Sequence, residues 1–151
     1  MPFGRAASTL ALDDVPGDRL TRPVPDARER AEIAASAAAE KQATDIAILD
    51  VGDIISITEA FVIVSASNTR QVRTIVDEVE ASLKVAQVDP KSASPRSIEG
   101  LEDASWVLMD YGEIIVHVFL AETRAYYDLD RLWADAPRIE WDDERQSLQA
   151  R

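Results

Sequence analysis

Six carboxylates, Asp45, Asp50, Asp53, Glu59, Asp110 and Glu113, fall in or beside segments that read as strands. Two of them converging on Mg²⁺ would suit phosphoryl transfer, where a metal steadies the attacking and leaving oxygens. That chemistry also needs a loop that cradles phosphates. The segment SASNTRQ at 65–71 stands where a strand meets a helix N-terminus, a generic anion site. It contains no glycine, so its backbone cannot approach a phosphate closely. Asp50 and Asp53 are three residues apart and would point to opposite faces of an extended strand. Isolated acids of this kind are usually strand-end and turn residues, and that reading is preferred to a metal or nucleotide site.

His117 is the only histidine. Its unperturbed pKa of ~6.5 would suit a general base, but no nucleophile is tied to it by a motif. Acid–base catalysis needs a geometric partner, so packing against Trp106 or contact with another protein fits better. With one histidine and no cysteine, a zinc site has too few ligands. Trp106, Tyr111, Tyr126, Tyr127 and Trp133 all lie in the last third of the chain. Trp133 and Phe119 are expected in the core. The others belong to the residue types that dominate protein–protein hot spots. A hairpin tip carrying Asp110 and Tyr111 near Trp106 would anchor a basic partner. The residues thus point to no catalytic group, cofactor or metal, and to a binding protein rather than an enzyme.

Composition agrees. The chain has 151 residues, enough for one ordinary domain that buries ~70% of its unfolded surface without disulfide or metal. The net charge of −12 opposes non-specific grip on a phosphate backbone and favours encounter with a basic protein. No run approaches the ~20 apolar residues of a membrane span, and no signal-peptide core is visible. A cytoplasmic location with no membrane partner is expected.

The elements that must position these residues follow from periodicity. Residues 1–25, with four prolines, read as a flexible extension. Asp26 and Glu29 form a capping-box pattern ahead of an alanine-rich helix able to pack closely on a neighbour. DIAILDV (45–51) and FVIV (61–64) are short apolar runs typical of strands covered on both faces. Asn68 caps a helix to Ala86 whose apolar stripe is Val72, Ile75, Val76, Val79 and Leu83. VDPKSASPRS (88–97) reads as a loop. Residues 106–120 read as a hairpin turning at Tyr111-Gly112. That turn would set Asp110 opposite Glu113, Leu108 opposite Ile115 and Trp106 opposite His117. Two acids facing each other at the turn would call for a bulge or a nearby cation. A last helix, ETRAYYDLDRLWADA, carries Tyr126, Leu129 and Trp133 on one stripe, and 138–151 read as a polar tail. Helices and strands alternate within one domain at 26–137, so the expected fold is α/β, a mixed sheet packed by helices in the order α-β-β-α-β-β-α.

Four blocks, the alanine-rich helix leading into DIAILDV, FVIVSASNTRQVRTIVDEVE, WVLMDYGEIIVHVF and RAYYDLDRLWADAP, occur in one order over about residues 27–137. In this the chain resembles the ribosomal silencing factor family, also called Iojap-like proteins. The resemblance implies a nucleotidyltransferase-like α/β sandwich without transferase activity. It implies binding to the large ribosomal subunit through ribosomal protein fourteen at the intersubunit face. Small-subunit joining would be blocked and translation repressed under starvation. It points to Trp106, Leu108, Met109, Asp110, Tyr111 and His117 as the contact residues. It leaves room for a minor contact with ribosomal RNA, for a homodimer, and for a role in large-subunit assembly, as in organelle relatives. The chain departs from the family pattern in its 1–25 extension, in Glu113 where Asp is frequent, and in SASN where glycine is frequent.

Overall fold

The computed structural model describes residues 26–86 and 90–141; the expected extension 1–25 and the tail from 142 onward lie outside the described residues. Ten elements follow in chain order: α1 (Ala27–Glu40), β1 (Thr44–Asp50), β2 (Ala60–Ala66), α2 (Thr69–Ala86), α3 (Pro90–Ala93), β3 (Ser97–Glu99), β4 (Trp106–Asp110), β5 (Ile114–Leu120), α4 (Ala121–Tyr127) and α5 (Leu129–Leu132). The five strands form one sheet in the order β1-β2-β5-β4-β3. β2 and β5 run parallel and every other pair is antiparallel. The mixed sheet packed by helices is as expected.

Period-two alternation assigns two faces. Ala60, Val62 and Val64 of β2 and Ile114, Val116 and Val118 of β5 face α1 and α2 in the larger core. Phe61 and Ile63 of β2 and Phe119 of β5 face the other way, toward Leu129 and Trp133. Because both faces are covered, every residue of β2 is buried, which explains its unbroken apolar run.

The two long helices form as their caps dictate. Asp26 accepts from Glu29 N at 2.9 Å and Glu29 Oε1 accepts from Asp26 N at 3.1 Å, a full capping box. Asp26→Ala should lower stability by about 1 kcal/mol, read as a shifted urea midpoint with unchanged slope. Asn68 Oδ1 accepts from Gln71 N at 2.8 Å, while Gln71 Oε1 reaches back to Ser67 N rather than to the cap residue itself. Ala31, Ala34, Ala35 and Ala38 of α1 are fully buried. With no side chain beyond Cβ, they let α1 lie close on α2 and the sheet.

Three expectations are corrected. Within the supposed loop 88–97 lie α3 and the start of β3; three residues are too short for periodicity to show. The last helix is two helices, because Asp128 takes a left-handed conformation (φ 51°) that Asp tolerates better than most residues. The turn brings Leu129 and Trp133 onto the sheet and leaves Tyr126 off their stripe, 81% exposed. The segment after Ala136 is not a free tail at its start. Asp50 N donates to Pro137 O at 2.8 Å and Ile139 N donates to Ile48 O at 2.9 Å, so residues 137–139 line the outer edge of β1. Trp141 then reaches α1, where its Nε1 donates to Ser36 Oγ at 3.4 Å.

Candidate functional site: an aromatic sheet face

The β4–β5 hairpin differs from its expected register by two residues. Asp110 pairs with Ile115, Leu108 with His117 and Trp106 with Phe119. The connecting pair is Gly112-Glu113 rather than Tyr111-Gly112, and Tyr111 N donates to Ile114 O at 2.9 Å. Gly112 takes the positive φ (89°) that only glycine adopts freely. A slip of one residue would have turned every side chain over, whereas a slip of two keeps each on its face. Trp106, Leu108 and Asp110 therefore still share a side with His117, and Met109 and Tyr111 face the opposite core.

The shift also resolves the expected clash of acids. Asp110 no longer faces Glu113; its Oδ1 accepts from Gly112 N at 2.8 Å. Glu113 finds a cation in Arg30 of α1, whose Nη1 donates to Glu113 Oε1 at 2.9 Å. Arg30 is 2% exposed. Its Nη2 donates to Ser92 O at 3.1 Å, and its guanidinium lies 5.3 Å from the centre of the Tyr111 ring. Burial, with help from the nearby Glu80 charge, pushes the Tyr111 hydroxyl up to about 12. The sequence carried one signal for this contact: Arg30 shares an α1 stripe with Ala27, Ala31 and Ala34 and is the only charge there.

On the open side of the hairpin the aromatic residues are interlocked. The Trp106 ring stacks on Phe119 with centroids 4.8 Å apart and meets Tyr127 of α4 at 5.0 Å. Its Nε1 donates to His117 Nδ1 at 3.2 Å. His117 is 4% exposed and has the Phe61 ring edge-on at 4.8 Å. Burial lowers its pKa to about 4. With Nδ1 accepting, the neutral ring carries its proton on Nε2, which is buried without a partner among the described residues.

Of the six residues expected at an interface, three are available. Trp106, Leu108 and Asp110 are half-buried on this face. Met109, Tyr111 and His117 are buried, the first two against the α1–α2 core and the third beneath Trp106. The register adds Ile115 and, from β3, Glu99 and Ser97 to the open face. α4 lies against β5 and β2, and Leu108 joins neither buried cluster. Among the described residues nothing covers the β3–β4 side of the face, and the exposed Tyr127 stands at its rim. Gly100 (φ 92°), between β3 and β4, passes so close that a Cβ there would strike the carbonyl oxygen of Trp106.

The carboxylates do not assemble. Asp50 accepts from Gly52 N, Glu113 pairs with Arg30, and Asp53 and Glu59 are exposed. Asp45 lines a cleft of about 540 Å³ with Ser65, Arg124, Asp128, Asp130 and Arg138. There Arg124 grips Asp130 with two bonds, 3.0 and 2.8 Å, and holds that carboxyl below its usual range. Among the described residues no group of three His, Asp or Glu side chains could hold a metal ion, and no helix is long and apolar enough to cross a membrane.

Comparison with known proteins fits this arrangement. The family described as "Ribosomal silencing factor during starvation" matches residues 24–151. The ribosomal silencing factor RsfS of Bacillus subtilis is 37% identical over 111 residues, covering 74% of this chain and 90% of that protein. A mouse protein named "Mitochondrial assembly of ribosomal large subunit protein 1" is 28% identical over 132 residues, 87% of this chain and 55% of its own length. The crystal structure of a Chromobacterium violaceum protein superposes with a TM-score of 0.66 at 30% identity, covering 78% of this chain and 93% of that one. On the matched span, the relatives and the shared sheet, the chain belongs to the ribosomal silencing factor family.

Proposed function

We propose that this protein silences ribosomes by occlusion. It binds the free large subunit through ribosomal protein fourteen, using the open face around Trp106, Leu108 and Asp110, and stands where the small subunit must dock. One observation carries this reading: a sheet face that the described residues leave uncovered, beside an aromatic cluster, on a chain of net charge −12. Half-buried Trp and Leu offer the apolar anchor of a hot spot, and Asp110 with Glu99 adds charge matched to a basic surface. Occlusion needs no chemistry. A factor that binds only the free subunit withdraws it from the joining equilibrium by mass action.

Gradient sedimentation tests this. Purified large subunits are incubated with the protein and then offered small subunits. Co-migration with the large subunit and failure of whole ribosomes to form are the expected results. A protein left at the top of the gradient, with normal joining, refutes the proposal. Trp106→Ala should weaken binding by about tenfold or more, as central aromatic anchors do, with the circular dichroism spectrum unchanged. The name of the mouse relative supports a second use of the same surface, in large-subunit assembly. Precursor large subunits accumulating on deletion in growing cells would select that use over silencing in starvation.

A further inference from the structure

We infer that His117 is a positioning residue: from beneath the surface it fixes the Trp106 indole so that only apolar area faces the partner. The inference rests on the reading that the Trp106 face binds a ribosomal protein.

The geometry is specific. Phe119 and Tyr127 flank the indole at 4.8 and 5.0 Å. Two rings restrain the plane of a third but not which edge points inward. The bond from Trp106 Nε1 to His117 Nδ1 decides that. An indole has one N–H, and here it is spent inside the protein. The partner's recess for Trp106 therefore needs hydrocarbon and no acceptor. An apolar side chain at position 117 would leave this N–H without its acceptor, and the indole would be free to turn it toward water. The polarity of the surface would then change without any surface residue being altered.

This arrangement also accounts for a polar ring in a site that an aliphatic residue would fill. His117 stands among Phe61, Phe119 and Trp106, and its Nε2 has no partner among the described residues. For stability alone, an apolar ring of the same shape would serve better, since an unpaired buried polar group is costly. A role in orienting Trp106 explains why the acceptor is there.

Two variants separate positioning from packing. His117→Phe keeps the ring and removes the acceptor. His117→Asn removes the ring but sets Oδ1 where Nδ1 was, one bond from Cγ. If His117 served packing, binding would follow stability, with Phe at or above the parent and Asn below. Positioning predicts the reverse for binding to purified large subunits: Asn within about threefold of the parent, and Phe weaker by about tenfold, the scale of one lost buried hydrogen bond. Free protein is read in parallel through the Trp106 indole N–H resonance, with slow solvent exchange expected in parent and Asn variant and fast exchange in Phe. A Phe variant that binds like the parent, or whose indole N–H stays protected, overturns the inference. So does an Asn variant that binds as poorly as Phe. A parent protein that fails to bind large subunits overturns the functional reading itself, and is told apart because all three proteins then fail alike.

Discussion

Glu113→Ala is expected to lose about 3 kcal/mol of stability, while Arg30→Met loses about 1 kcal/mol or less, although the two substitutions break the same ion pair. The asymmetry comes from burial. The Arg30 side chain is 2% exposed and the Glu113 side chain 38%. Removing Glu113 leaves a guanidinium enclosed by α1, α3 and the hairpin, with Ser92 O and the Tyr111 ring to answer it among the described residues. Removing Arg30 leaves a carboxylate that water can reach, and Met fills the vacated space with a flexible apolar chain. The double variant should lie close to Arg30→Met alone, because the charge that needed a partner is gone. Urea midpoints of the four proteins decide the matter. Equal losses for the two single variants would mean that Arg30 is solvated in the native state and that the ion pair matters little.

The second large effect is on pH dependence. His117 titrates near 4 in the folded protein, lowered by burial, and near its ordinary 6.5 when unfolded. Between those values the unfolded chain holds a proton that the folded chain does not, so stability falls as pH falls. The loss begins below about pH 6.5 and reaches about 3 kcal/mol near pH 4. Protonation would also place a hydrogen on Nδ1, facing the indole N–H, so the Trp106 contact must break. Asp130, held below its usual range by Arg124, acts in the same direction only in more acidic solution. Unfolding midpoints from pH 7.5 to 4 should show the slope in the parent and lose most of it in His117→Phe. A parent whose stability stays level down to pH 4.5 would contradict the buried neutral ring.

Much of this was legible in the sequence because alternation is a strong signal. It placed Trp106, Leu108, Asp110 and His117 on one side of the hairpin, although the turn was set one residue early. The error arose because Gly112 can serve as either central residue of a two-residue loop. Burial was harder to read. Tyr111 looked like a surface anchor because nothing local shows that α1 lays Arg30 over it. His117 reads either as packed against Trp106 or as a contact residue; the packing is present, and the depth of its burial was not legible because Phe61 of β2, which also covers it, is far away in the chain. The break at Asp128 had no Gly or Pro to announce it. The polar–apolar alternation of Arg138, Ile139, Glu140 and Trp141 is a strand-like signal that reading 138–151 as one polar tail passes over, and it marks a segment that pairs with β1.

That segment has a consequence for how the chain is made. β1 emerges from a synthesising ribosome long before Pro137 and Ile139 do. β2 can cover its inner edge early, but its outer edge keeps unpaired N–H and C=O groups until almost the whole domain has been translated. An open edge strand is a template for pairing with another chain. Nascent copies on neighbouring ribosomes of one message are therefore most prone to join through β1, and the exposure closes only when residues 137–139 are released from the exit tunnel.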